Sequence, residues 1–176
     1  MALQDLRGTF VLDPTHTTIS FVTRHAMVTK VRGSFEEFEG QAVVGDDPHL
    51  EVTVQVASVN TRNDDRDKHL RTSDFFDVEQ YPTMKFVANE YEIKDDVVEI
   101  TGDLTIKDVT KRITIPFEYQ GEATDVYGNK RVGLEGGIQV KRSDYGLTWN
   151  AALETGGVMV SDKVNLEFDV SAIQQD

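Results

Sequence analysis

His16, His25, His49 and His69 are the four imidazoles available to this chain of 176 residues. A zinc site or a metalloprotease helix would set two of them at H-x-H, H-x-x-x-H or H-E-x-x-H spacing, and no such pair occurs. Cysteine is absent, which removes thiolate ligands, disulfides and a cysteine nucleophile together. Asp64, Asp65 and Asp67 cluster as a calcium loop would begin, but the central glycine and closing glutamate of such a loop are missing. Acids opening a helix account for them better. Ser143 and Asp144 have no histidine near them in sequence, and an aspartate in a turn commonly binds neighbouring backbone amides. Arg24 and His25, at the end of a β-branched strand, could reach the polar head of a ligand. Their structural alternatives are an ion pair at a strand end and a histidine bonded to backbone. This set leads us to expect no catalytic residue, no metal and no cofactor.

Charge narrows the partners. The net charge of -13 lacks the clustered lysine and arginine that release counterions from nucleic acid, and it equally disfavours docking on anionic lipid. No stretch is long and apolar enough for a membrane span. The opening MALQDLRGTF has no basic segment followed by an apolar one, so it does not read as a signal peptide, and the expected compartment is the cytoplasm. The length suits one domain, residues 1–176.

The elements that must position these residues are mostly strands. Leu50, Val52, Val54 and Val56 alternate with polar residues, as do Ile113, Ile115, Phe117 and Tyr119, and again Val164, Leu166, Phe168 and Val170. Period-two alternation marks strands with one apolar and one wet face. Further strands are predicted near 84–92, 97–106 and 131–141, the last bent or bulged at Gly136-Gly137. Asp95-Asp96 and Gly128-Asn129 read as hairpin turns. One short surface helix is predicted over 63–74, opened by Asn63 and delivering Phe75 and Phe76 onto the sheet. A second turn or short helix is expected from Ser143 to Leu147, beside Trp149. About eight antiparallel strands of this kind can close into a barrel or stack as a sandwich.

Several blocks carry a more specific likeness. DPTHTTISFVTRH with Gly33, Phe35, Phe38 and Gly40 resembles the opening signature of the YceI family. Lys68-His69-Leu70, Phe75-Phe76 and Tyr81-Pro82 to Phe86 are similar to its central D-x-HL…FF…YP…F block. Gly102 to Lys111 resembles its GxLTIxGVTK hairpin, with Asp108 in the place of a glycine, a position an aspartate fills because it tolerates left-handed turns. Arg142-Ser143-Asp144-Tyr145-Gly146 resembles its RxDFG turn, with tyrosine for phenylalanine. The blocks span about residues 10–170 in order.

The resemblance implies an all-β, antiparallel, eight-stranded lipocalin-like barrel. It also implies a bound polyisoprenoid or fatty-acyl lipid, of the polyprenyl quinone or phenol type, carried without turnover. A homodimer is a further expectation, since related barrels often pair. Under that reading the ligand-binding wall draws on Ile19, Phe21, Phe35, Phe38, Phe75, Phe76, Phe86, Ile106, Phe117, Tyr145 and Trp149, with Arg24 and His25 at its polar end. For any single one of these aromatic and aliphatic residues a core role is the expectation, and about half of the set is expected to line a tunnel. An enzyme acting on a lipid-like substrate, a ligand-free or partner-binding barrel, and a haem-binding barrel stand as the alternatives.

Overall fold

In the computed structural model, which describes residues 2–151 and 159–176, the predicted alternation becomes an inside and an outside. Ile115 and Phe117 are buried while Thr114, Pro116 and Glu118 between them are exposed. The strands are β1 (Gly8–Leu12), β2 (Thr18–His25), β3 (Thr29–Phe35), β4 (Phe38–Val44), β5 (His49–Gln55) and β6 (Val59–Asn60). After the helix α1 (Asp64–Leu70) come β7 (Thr83–Lys94), β8 (Val97–Ile106), β9 (Val109–Thr124), β10 (Lys130–Lys141) and β11 (Lys163–Gln174). Every described pairing is antiparallel. The eight strands β1, β4, β5, β7, β8, β9, β10 and β11 pair in that order, and β1 returns to β11 to close the ring. Closure removes the free edges that an open sheet would present.

The remaining strands lengthen one end of the barrel. β11 gives Ala172–Gln174 to β1 and Asn165–Asp169 to β2, so β1 and β2 lie end to end along one neighbour. The corner between them is pinned. Asp13 N donates to Ser171 O at 2.9 Å, and Thr17 Oγ1 both donates to Ser171 O and accepts from Ser171 N, each at 3.1 Å. The Asp13 carboxylate takes Arg131 Nη1 at 2.6 Å, and Arg131 Nε reaches Asp125 at 2.7 Å. β3 then pairs with β2 and β6 with β3, continuing the wall past the closed ring.

Three local expectations are corrected. The helix stops at Leu70, because Thr72 N and Thr72 Oγ1 both donate to His69 O and Phe76 N turns back to Leu70 O. Its start is as expected, with the Asn63 side chain accepting from Arg66 N at 2.9 Å. The bulge lies in β9 at Gln120, facing Gly133-Leu134 of β10, and the β10 ladder with β11 runs unbroken through Gly136-Gly137. Those two glycines serve close approach: a Cβ on Gly136 would stand 2.5 Å from Phe117 Cδ1. In the β8–β9 hairpin the left-handed residue is Lys107, at φ 57°, and not Asp108.

Both ends of the barrel are covered. The turn of 3-10 helix at Leu3–Asp5 puts Leu3 and Leu6 against Phe10, Val98, Ile115, Phe117, Val132 and Ala172. At the other end Phe75, Ile106, Tyr145 and Leu147 pack together, with Phe76, Met84 and Trp149 against them. Beside that cluster, and sharing Leu70, Phe76 and Met84 with it, Phe35, Val54, Val56 and Val59 form a third that Phe21 and Phe38 join.

Candidate functional site

Inward alternation around a closed ring leaves the centre open. A cavity of about 350 Å³ runs through the barrel, within the range of ligand-binding pockets. Its wall is almost entirely apolar. Of the residues the sequence singled out, Ile19, Phe21, Phe35, Phe75, Phe76, Phe86, Ile106, Phe117 and Tyr145 all border it. Phe21 and Phe35 stand 5.6 Å apart between ring centres, and Phe35 meets Phe76 edge-on at 5.9 Å. Phe117 meets Phe168 at 5.9 Å.

Arg24, His25, Phe38 and Trp149 stand off that wall. Arg24 and His25 are exposed at the end of β2. Arg24 Nη1 donates to Val28 O at 3.3 Å rather than to a carboxylate among the described residues, and the His25 backbone bridges to Val160. Phe38 backs the third cluster from β4. Trp149 packs on Phe75 at 5.3 Å and on His69 at 4.8 Å, one layer behind the wall. The other histidines are spread out: His16 sits 2.7 Å from Asp13, His49 3.8 Å from Glu51 and His69 2.8 Å from Asp74.

The polar groups first considered for chemistry have structural work. Asp67 accepts from Thr61 N at 2.8 Å and Thr61 Oγ1 at 2.6 Å, holding α1 to the end of β6. Ser143 Oγ donates to Asp162 at 2.8 Å, which helps to keep that carboxyl below its ordinary value. Asp144 is exposed. Arg142 is a buried charged residue on the cavity wall. Its guanidinium donates to the carbonyls of Ser161, Leu147, Trp149 and Val160 at 3.0, 2.7, 2.9 and 3.2 Å. Burial pushes its pKa down, and Asp162 pulls it back.

Several wall residues went unassigned from sequence. Leu3 and Leu6 come from a segment with no periodicity to mark it. Tyr91 lies just beyond the bulge at Asn89, where β7 parts from β5 and keeps only β8 as neighbour. There the wall includes Val43, Pro48, His49, Asn89, Glu90 and Tyr91, of which Val43, His49, Asn89 and Glu90 are exposed. Tyr119 sat in plain alternation with Ile115 and Phe117. What alternation could not disclose is that its Oη is buried and, among the described residues, is the side-chain polar atom without a hydrogen-bond partner.

A closed antiparallel barrel around an apolar cavity defines a class of small-molecule-binding β-barrels, and comparison with known proteins narrows it. The profile of the YceI-like domain matches residues 10–172, and the chain belongs to that family. A UPF0312 protein of Staphylococcus epidermidis is 37% identical over 168 residues, covering 93% of this chain and 95% of that one. The crystal structure of a Campylobacter jejuni YCEI protein superposes with a TM-score of 0.72 at 34% identity, over 87% of this chain and 90% of that one. A polyisoprenoid-binding domain from Saccharophagus degradans, implicated in plant cell wall breakdown, shares the fold with a TM-score of 0.74 at 18% identity, over 94% of this chain and 98% of that one.

Proposed function

We propose that the barrel holds a long-chain isoprenoid or fatty-acyl amphiphile, of the polyprenyl quinone or phenol kind, as a carrier, store or scavenger without chemical turnover. The observation that carries this reading is the apolar cavity of about 350 Å³ through the closed ring. Burying a methylene is worth ~0.8 kcal/mol, so a five-carbon prenyl unit contributes roughly 4 kcal/mol by the same scale. Association costs ~4–15 kcal/mol, which three or four units offset by that arithmetic. A long chain therefore binds a dry tunnel with few polar contacts. The shared fold with a polyisoprenoid-binding domain supports the same ligand class.

Native mass spectrometry of freshly purified protein, followed by solvent extraction, tests this. The expected result is one long-chain lipid per barrel. A protein that arrives empty and also refuses added polyprenyl quinones and fatty acids would refute it.

A further inference from the structure

Among the described residues, Tyr119 Oη is the buried side-chain polar atom left without a hydrogen-bond partner. A buried hydroxyl with no partner costs about what a lost hydrogen bond costs, so native structures rarely keep one without a use. Tyr119 is itself one of the residues that line the cavity. It belongs to the end covered by Leu3 and Leu6, in the cluster that also holds Tyr91 and Ile93, and its own backbone N is anchored to Asp96 O at 2.8 Å. The exposed wall residues His49, Asn89 and Glu90 lie at this same end and mark a lateral mouth, whereas Phe75, Phe76 and Tyr145 pack together at the other. An amphiphile entering through the mouth tail first would leave its head among these tyrosines.

We infer that Tyr119 anchors the ligand's head group, donating a hydrogen bond to a neutral oxygen such as a quinone carbonyl or a phenol oxygen. The inference rests on the lipid-binding reading above and adds the polarity and orientation of the ligand. Burial, with a contribution from Glu122, raises the Tyr119 pKa, so the group stays protonated and able to donate. A carboxylate or phosphate head is disfavoured by position. The lysine and arginine of the wall are Lys85, opposite Thr105, and Arg142, and both lie toward the Phe75–Tyr145 end.

The test is Tyr119→Phe, which removes the hydroxyl and keeps the ring. Two probes are titrated into delipidated protein: a benzoquinone with a long prenyl tail, and squalene, a prenyl chain without oxygen. Expected is quinone binding about tenfold weaker, equivalent to about 1.4 kcal/mol, with squalene affinity changed by less than about twofold. The ligand-free variant should melt at or above the wild-type temperature, because an unsatisfied donor has gone. Unchanged quinone affinity would overturn the inference. Equal weakening of both probes would do the same, since the ring alone would then matter. So would a variant that fails to fold, as a partnerless hydroxyl cannot be holding the barrel together. Wild-type protein that binds neither probe overturns the lipid-binding reading, and this one with it.

Discussion

Two glycine-to-alanine substitutions separate a hollow barrel from a filled one. Gly33 on β3 pairs with Phe21 on β2, and a Cβ added there would lie 2.3 Å from Phe21 Cζ, with Cε1 at 2.7 Å and Cε2 at 2.9 Å. Ordinary contact begins at 3.4 Å, so the ring must retreat by about 1 Å. Phe21 borders the cavity, so the ring has somewhere to go. Gly102 on β8 pairs with Ala88 on β7, and its added Cβ would meet Val87 O at 2.4 Å and Ala88 Cα at 2.7 Å. Those are backbone atoms of a paired strand, with no comparable freedom to move.

Overpacking a core costs ~1–3 kcal/mol, and replacing glycine where alanine is allowed returns ~0.4–1 kcal/mol through the unfolded chain. Gly33→Ala should sit at the low end, at a net loss of about 0–1 kcal/mol. Gly102→Ala should sit at the high end, at about 2 kcal/mol or more. Urea unfolding with unchanged m-value reads both. In a Phe21→Leu background the cost of Gly33→Ala should vanish, since the atoms it strikes are gone. Equal losses from the two substitutions would mean that Phe21 has nothing behind it to move into. The account of the barrel as hollow at that level would then be wrong.

Arg142→Lys should unfold far more easily than wild type, by about 3 kcal/mol or more, because one ammonium cannot serve four carbonyls and buried unpaired carbonyls cost ~1–3 kcal/mol each; a wild-type urea midpoint would refute this. Acid should weaken the protein through the corner between β1 and β2. Arg131, then Thr15 and His16, hold the Asp13 carboxyl well below its ordinary range, and the backbone amide of Asn129, with Arg131, lowers Asp125 to about 2. Carboxyls depressed in the folded state bind protons more readily when unfolded, so their contribution is complete above about pH 4 and is lost as pH falls toward 2. The fall in urea midpoint between pH 5 and pH 2.5 should be clearly shallower in Arg131→Met than in wild type, and parallel curves would sink the argument.

The ring was legible where one strand face meets water, because alternation states the direction of each side chain. Ile113 to Tyr119 and Val164 to Val170 needed nothing more. The division of β1 from β2 was not legible, since both lie along β11 and only Asp13, Thr17 and Arg131 in three dimensions mark the corner. The bulges at Asn89 and Gln120 were equally hidden, being differences in count between two strands that no single segment records. Arg24 and His25 were singled out because they end a signature strand. Both are exposed and neither borders the cavity, although Thr23 on the same strand and Val160, which the His25 backbone bridges, do.

Alternation also could not say whether the aromatic residues fill the barrel or surround a void, and the reason is physical. A Phe pointing inward satisfies either case, and the outcome depends on whether rings from opposite walls meet. Here Phe21, Phe35 and Phe76 meet along one side, while Phe117 and Phe168 meet on another, and about 350 Å³ remains between the walls. At ~24 cal/mol per Å³, the scale set by cavity-forming substitutions, such a void forgoes roughly 8 kcal/mol of packing. That is comparable with the whole stability of an ordinary domain, ~5–15 kcal/mol. The closed ladder of backbone hydrogen bonds and the plugs at Leu3–Leu6 and Phe75–Tyr145 must therefore hold the barrel open against its own tendency to collapse. An occupant that is apolar along its length restores those contacts, and the unpaired Tyr119 hydroxyl is the point at which we infer that it also carries an oxygen.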